Sequence, residues 1–103
     1  MREQSQIAKF FQEMLTDLFG SLTRKDETWT AVATRAGLST TQLSVLRDGK
    51  HNPGEEIEKK ALRGLGPEID AYVKRHKNWA EYITLKRREH KITPPGGRLR
   101  VAE

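Results

Sequence analysis

Residues 28–53, TWTAVATRAGLSTTQLSVLRDGKHNP, leave this chain little freedom in how it folds. Two short apolar-periodic runs meet at Ala36-Gly37-Leu38-Ser39, which leaves room only for a tight turn between two helices. Thr28 is the expected N-cap of the first helix, its hydroxyl oxygen accepting from an orphan backbone N–H. Val32, Ala33 and Ala36 form its inner face, and the small Ala33 lets a second helix pass close by. Gly37 ends it, because a left-handed residue costs least when it is glycine. The second helix has a double start signal: a capping box of Ser39 and Gln42, and a hydrophobic staple of Leu38 with Leu43. Leu43 and Leu46 point back at the first helix, and Asp48-Gly49 closes the element.

At 100° per residue, Thr41, Ser44, Val45 and Asp48 share the face opposite Leu43 and Leu46, with Thr40 exposed at the N-terminal end. That face is short and polar and suits a helix lying deep in a DNA major groove. Small Ala33, Gly37, apolar Leu38, then Leu43 and Leu46, then Gly49-Lys50 and Pro53 together resemble the helix-turn-helix of the lambda-repressor/Cro (XRE-like) family. The likeness extends more weakly through Leu62 and Leu65-Gly66 and covers about the central third of the chain. It implies an all-α, five-helix DNA-binding domain acting as a small transcription regulator, a homodimeric repressor working by operator occupancy.

The resemblance assigns base readout to Thr40, Thr41, Ser44 and Val45. Chemistry agrees, since threonine and valine methyls meet thymine methyls and hydroxyls serve either donor or acceptor edges. Gln42 is better explained as the capping-box partner than as an adenine reader. No arginine stands on the outer stripe to grip guanine, so DNA shape is expected to carry part of the specificity. Phosphate contacts are expected from the motif's edges: the helix N-termini near Trp29 and Thr40, and Lys50, His51 and Asn52 in the trailing loop. Arg35 and Arg47 read as solvated. Trp29 stands where the family commonly has a glutamine; its indole N–H either donates to a phosphate or its ring caps the core. Asp48 would repel a phosphate unless it pairs with Arg47 or Lys50.

On either side of the motif the periodicity is helical. Ile7, Phe10, Phe11, Met14, Leu15, Leu18 and Phe19 predict a first helix over 4–19, and Gly20-Ser21 breaks it. Asn52-Pro53-Gly54-Glu55 reads as the start of a fourth helix, with Asn52 as cap, ending at Gly64. Gly66-Pro67 opens a fifth, along which Ile69, Tyr72, Val73, His76, Trp79, Ala80 and Ile83 form one stripe. Unbroken to Glu89 this helix would be about 33 Å long, too long to bury its stripe on so small a body. It is therefore expected to pair with a second copy; the alternative is a break near Lys77-Asn78 into two packed helices. The expected organisation is a helix-turn-helix domain over 1–66, a dimerisation helix over 67–90, and a flexible tail over 91–103. In the tail, Arg98-Leu99-Arg100-Val101 alternates like a short strand.

The net charge of +5 mildly favours a polyanionic partner. Residues 71–91 hold much of it, as Lys74, Arg75, Lys77, Lys86, Arg87, Arg88 and Lys91 against only Glu81 and Glu89. That cluster, interleaved with Trp79 and Tyr82, reads first as a solvated face, second as a DNA-backbone surface and third as a basic amphipathic membrane-surface helix. The chain has no cysteine, so a disulfide framework and thiolate chemistry are excluded. His51, His76 and His90 have no ligand spacing, and no nucleophile–base pair or phosphate-binding glycine loop is found, so neither catalysis, a metal nor a cofactor is expected. No apolar run is long enough to span a bilayer, and a cytoplasmic, nucleoid-associated protein without membrane contact is expected. A second reading from a different class is an antitoxin-like module that covers a partner protein with the 69–83 stripe.

Overall fold

One amphipathic helix, α1 (Gln6–Phe19), packs chiefly on the third helix of the chain and also on the fifth. Its N-cap is Ser5, whose Oγ accepts from the Ala8 N–H at 3.2 Å. Its inner stripe of Ile7, Phe10, Phe11, Met14 and Leu15 is buried. The computed structural model describes residues 4–92 of the chain, and all regular structure among them is helical. After α1 come α2 (Glu27–Ala36), α3 (Thr40–Asp48), α4 (Glu55–Gly64), α5 (Gly66–Arg75) and, after a 3-10 turn over Lys77–Trp79, α6 (Ala80–Glu89). The tail beyond residue 92, including Arg98–Val101, lies outside the described residues.

The α2–α3 turn forms as its sequence signals require. Gly37 is left-handed at φ 74°, with its own N–H on Thr34 O and the Leu38 N–H on Ala33 O. Ser39 Oγ accepts from the Gln42 N–H at 3.0 Å while Gln42 Oε1 accepts from the Ser39 N–H at 2.9 Å. Leu38, Leu43 and Leu46 are buried, and Gly49 closes α3 at φ 69°.

Two helix starts differ from expectation. The first motif helix begins two residues earlier than expected, at Glu27 with Asp26 in place of Thr28 as N-cap. Asp26 has been recruited by the preceding turn, where its Oδ2 accepts from the Thr23 N–H at 2.6 Å. The fourth helix starts later than Asn52-Pro53, with Gly54 as N-cap. Asn52 is engaged elsewhere: its Oδ1 accepts from the Ser5 N–H at 2.7 Å and ties the loop to the start of α1. Gly64 is the last residue of α4 and has a packing role there. A Cβ at this position would lie 2.2 Å from Ala36 Cα, so its absence is what lets α4 close on α2.

The largest correction concerns residues 67–90. The chain breaks at His76 (φ −128°, ψ 74°), giving six α-helices instead of five. The stripe then folds back onto its own chain. Ile69, Tyr72, Trp79 and Ile83 are buried in the common core. The Trp79 ring meets Phe10 edge-on at 5.2 Å between centroids, and Trp79 Nε1 donates to Glu13 Oε1 at 3.3 Å. Tyr72 also meets Phe10 edge-on, at 5.7 Å, and such pairs add about 0.5–1.5 kcal/mol each beyond burial. The apolar surface expected to receive a second copy or a partner protein is therefore interior, and residues 67–90 form no projecting dimerisation helix. No helix among the described residues is long and apolar enough to cross a membrane.

Candidate nucleic-acid interface

The outer side of α3 is built by what lies beneath it. Leu43 and Leu46 are fully covered by α1 and α2, which fixes the rotation of the helix and turns Thr41, Val45 and Asp48 outward. Val45 is 37% exposed, one of only two large apolar side chains so exposed among the described residues; the other, Leu85, stands on α6. Thr40 and Ser44 are only partly exposed. The Ser44 hydroxyl is covered and has no hydrogen-bond partner among the described residues. Thus Thr41 and Val45 stand where sequence periodicity put them, while Ser44 presents little of its oxygen.

The C-terminal end of α3 is strapped to α1. Gln12 Nε2 donates to Asp48 O at 3.0 Å, and Gln4 Nε2 donates to Gly49 O at 3.1 Å. These bonds satisfy carbonyls left open at a helix end. Lys50 and His51, just beyond, are exposed, whereas Asn52 is half-buried and held by Ser5. The loop thus offers Lys50 and His51 to solvent, with Asn52 as their anchor.

Trp29 is not where a phosphate could meet its side chain. The ring is fully buried, 6.0 Å from Phe19, and its Nε1 is covered without a partner. The expectation of an indole donor at a phosphate is corrected: the ring belongs to the core. The exposed residues at the start of α2 are Glu27 and Thr28, whose amides receive no cap from the Asp26 side chain.

Arg47 was expected to be solvated and instead locks α3 in place. Its Nη1 donates to Phe19 O at 3.2 Å and Leu22 O at 2.7 Å, and its guanidinium carbon lies 4.5 Å above the Trp29 ring. It therefore ties α3 to the carbonyls at and just beyond the end of α1 and roofs the buried indole at once. Having turned that way, it does not pair with Asp48, which makes no ion pair among the described residues.

One residue was not visible to helix periodicity at all. Arg24, in the loop between α1 and α2, reaches across the face of α3 and donates from Nη1 to Thr41 Oγ1 at 3.1 Å. Residues 20–24 and Thr41, Ser44, Val45, Arg47 and Asp48 line a groove of about 550 Å³ along this face. No local pattern signals a contact between residues seventeen apart in different elements.

The basic C-terminal cluster is used differently. Arg75 pairs with Asp17, Arg87 Nη1 with Asp70 Oδ1 at 2.9 Å, and Lys86 Nζ with Glu58 Oε2 at 2.9 Å and Glu89 Oε1 at 3.2 Å. His90 Nε2 lies 2.7 Å from Glu58 Oε2. Glu58, Glu89 and His90 bring potential ligand atoms within 4.8 Å of one another, a grouping that spacing along the chain conceals. The Lys86 ammonium already sits between the two carboxylates, so part of their charge is offset from within the protein.

Comparison of the chain with protein-family models, with curated proteins and with solved structures finds no significant match.

Proposed function

We propose that this protein is a sequence-specific, double-stranded-DNA-binding transcription regulator that represses by occupying its operator, with α2–α3 as a lambda-repressor-like helix-turn-helix. The observation that carries the reading is the outer face of α3. Thr41 and Val45 stand outward on a helix whose inner face is locked by Leu43 and Leu46, with Arg24, Lys25, Lys50 and His51 exposed around it. The helix is narrow on that side and its flanks are cationic, as groove entry and phosphate contact require. The 69–83 stripe lends no support to the homodimer or to the antitoxin-like reading, since its Ile69, Tyr72, Trp79 and Ile83 are interior. The homodimer keeps only the argument that helix-turn-helix units commonly read paired half-sites. Catalysis, a metal and a cofactor form no part of the proposal.

The test is selection of bound duplexes from random DNA by the full chain, followed by titration against salt. Log affinity is expected to fall linearly with log salt concentration, as phosphate neutralisation releases counterions. Lys50→Ala should weaken all duplexes alike and flatten that slope by about one. Thr41→Ala should instead relax preference within the selected sequence. A chain that retains no duplex at low ionic strength would end the proposal.

A further inference from the structure

The outer face of α3 lacks the side chain that most often reads guanine. Its one arginine, Arg47, is committed to the carbonyls of Phe19 and Leu22 and to the Trp29 ring. We infer that Arg24, delivered from the α1–α2 loop and docked on Thr41, supplies the guanine-reading group of this interface; the inference rests on the DNA-binding reading above.

Three observations support it. First, the loop holds the main chain of Arg24 firmly. The Thr23 N–H donates to Asp26 Oδ2 at 2.6 Å, the Asp26 N–H to Thr23 O at 3.0 Å, and Thr30 Oγ1 donates to Arg24 O itself at 3.3 Å. Second, the side chain is aimed. It lies over Thr41, at the N-terminal turn of α3, which is the part of such a helix that reaches deepest toward base edges. Third, its charge is uncommitted. Arg24 makes no ion pair among the described residues, in contrast to Arg35, Arg75 and Arg87.

A guanidinium carries five N–H donors in a fixed plane. One is given to Thr41 Oγ1, which fixes the orientation of the plane and leaves the other donors for a second partner. Guanine offers O6 and N7 side by side in the major groove, the arrangement two parallel N–H groups of an arginine match. A phosphate would also accept from Arg24, but it would not distinguish an arginine fork from a lysine point charge in a sequence-dependent way. Thr41 thus becomes a positioning residue for Arg24 as well as a surface for thymine methyls. The covered Ser44 hydroxyl lines the same groove.

The experiment uses the full chain and the duplex it selects from random DNA. Each guanine of that duplex is replaced in turn by 7-deazaguanine, which keeps Watson–Crick pairing and removes the N7 acceptor. One position is expected to cost the wild type about tenfold in affinity, within the range of a lost bidentate contact. Arg24→Lys and Arg24→Ala should be blind to that replacement, and Arg24→Lys should keep the wild-type salt slope. The inference is overturned if every guanine position is tolerated, or if Arg24→Lys still discriminates the substituted base. It is equally overturned if Arg24→Ala weakens all duplexes by one factor, which would make Arg24 a phosphate contact and leave the DNA-binding reading standing. Failure of the wild type to retain any duplex would remove both.

Discussion

The outer face of α3 and the α5–α6 pair are both polar surfaces laid over a shared core, yet only the second braces itself with ion pairs to other helices. On α5 and α6 three cations are held by carboxylates of other elements or of their own turn: Arg75 by Asp17, Lys86 by Glu58 and Glu89, and Arg87 by Asp70. In the same stretch Lys74, Lys77, Arg88 and Lys91 stay exposed without an ion pair among the described residues. Around α3, Arg24, Lys25 and Lys50 make no ion pair among the described residues, and Asp48 is left unbalanced beside them. Internal pairing takes up the three cations of residues 71–91 that lie against neighbouring helices, whereas none of Arg24, Lys25 and Lys50 around α3 is taken up in this way. Net charge of a segment therefore does not tell which of its cations brace the fold and which face solvent, because the counter-charges come from other helices.

The strongest way to break this contrast is at Trp79. If α5 and α6 are a structural clasp, Trp79→Ala removes a ring packed on Phe10 and the Nε1 bond to Glu13. A loss of about 3–5 kcal/mol is expected, comparable with the whole stability of a small domain. Urea denaturation measures the loss, and sedimentation run alongside should show no change in association. A variant that unfolds at the wild-type midpoint while changing its oligomeric state would make the stripe an intermolecular surface after all.

The same contrast explains what could be read from the sequence. In α2–α3 every signal is local: the Ser39–Gln42 box, the Leu38–Leu43 staple and the left-handed Gly37 and Gly49 each lie within a few residues of what they control. Local signals specify local geometry, and the turn is found where they place it. The stripe on residues 69–83 was equally legible as an apolar face, but periodicity says only that a face is buried, not against what. The break at His76 carries no proline or glycine, and is supported instead by stacking of His76 on Tyr72 and by the fold-back of Trp79 onto α1. Asn52 shows the same limit. As a cap before Pro53 it is locally plausible, yet the Ser5 N–H, forty-seven residues away, takes its oxygen. For the candidate site, Thr41 and Val45 follow from helix geometry alone, while Arg24, Arg47 and the burial of Trp29 depend on contacts between elements. Those contacts decide which arginine is structural and which is free.

Arg47 sharpens the comparison from the other side, with an intermediate effect. It lies within the candidate interface but behaves like the arginines of the clasp. Charged hydrogen bonds to two carbonyls contribute about 1.5–3 kcal/mol, and stacking on an indole about 0.5–1 kcal/mol more. Arg47→Ala is therefore expected to lower stability by about 2–3 kcal/mol, read from chemical denaturation. Its salt slope for DNA, measured where the variant is fully folded, should match the wild type. A variant of undiminished stability whose slope falls by about one would instead make Arg47 a phosphate ligand.

The smallest effect expected is alkaline, and it belongs to the clasp. Burial alone would lower the Lys86 ammonium, but hydrogen bonds to Glu58 and Glu89 outweigh it and hold the group above its ordinary value. Burial raises the phenol of Tyr72, helped by the Glu13 and Asp17 carboxylates; burial also raises that of Tyr82, with Lys86 opposing and Glu58 and Glu89 assisting. In each case the folded protein holds its proton more tightly than the unfolded chain. The resulting stability is complete below the ordinary values of about 10–10.4 and is lost as pH rises through the higher folded ones. Partly exposed ion pairs contribute about 0–1 kcal/mol, so the decline should be shallow. It can be followed by denaturant midpoints between about pH 8 and 11.5, with phenolate absorbance marking the tyrosines. Tyr72→Phe, Tyr82→Phe and Lys86→Met should each flatten the decline, whereas Thr41→Ala should leave it unchanged. If the clasp variants decline as steeply as the wild type, the alkaline sensitivity arises elsewhere, and the contrast between an ion-paired clasp and an unpaired α3 face loses this support.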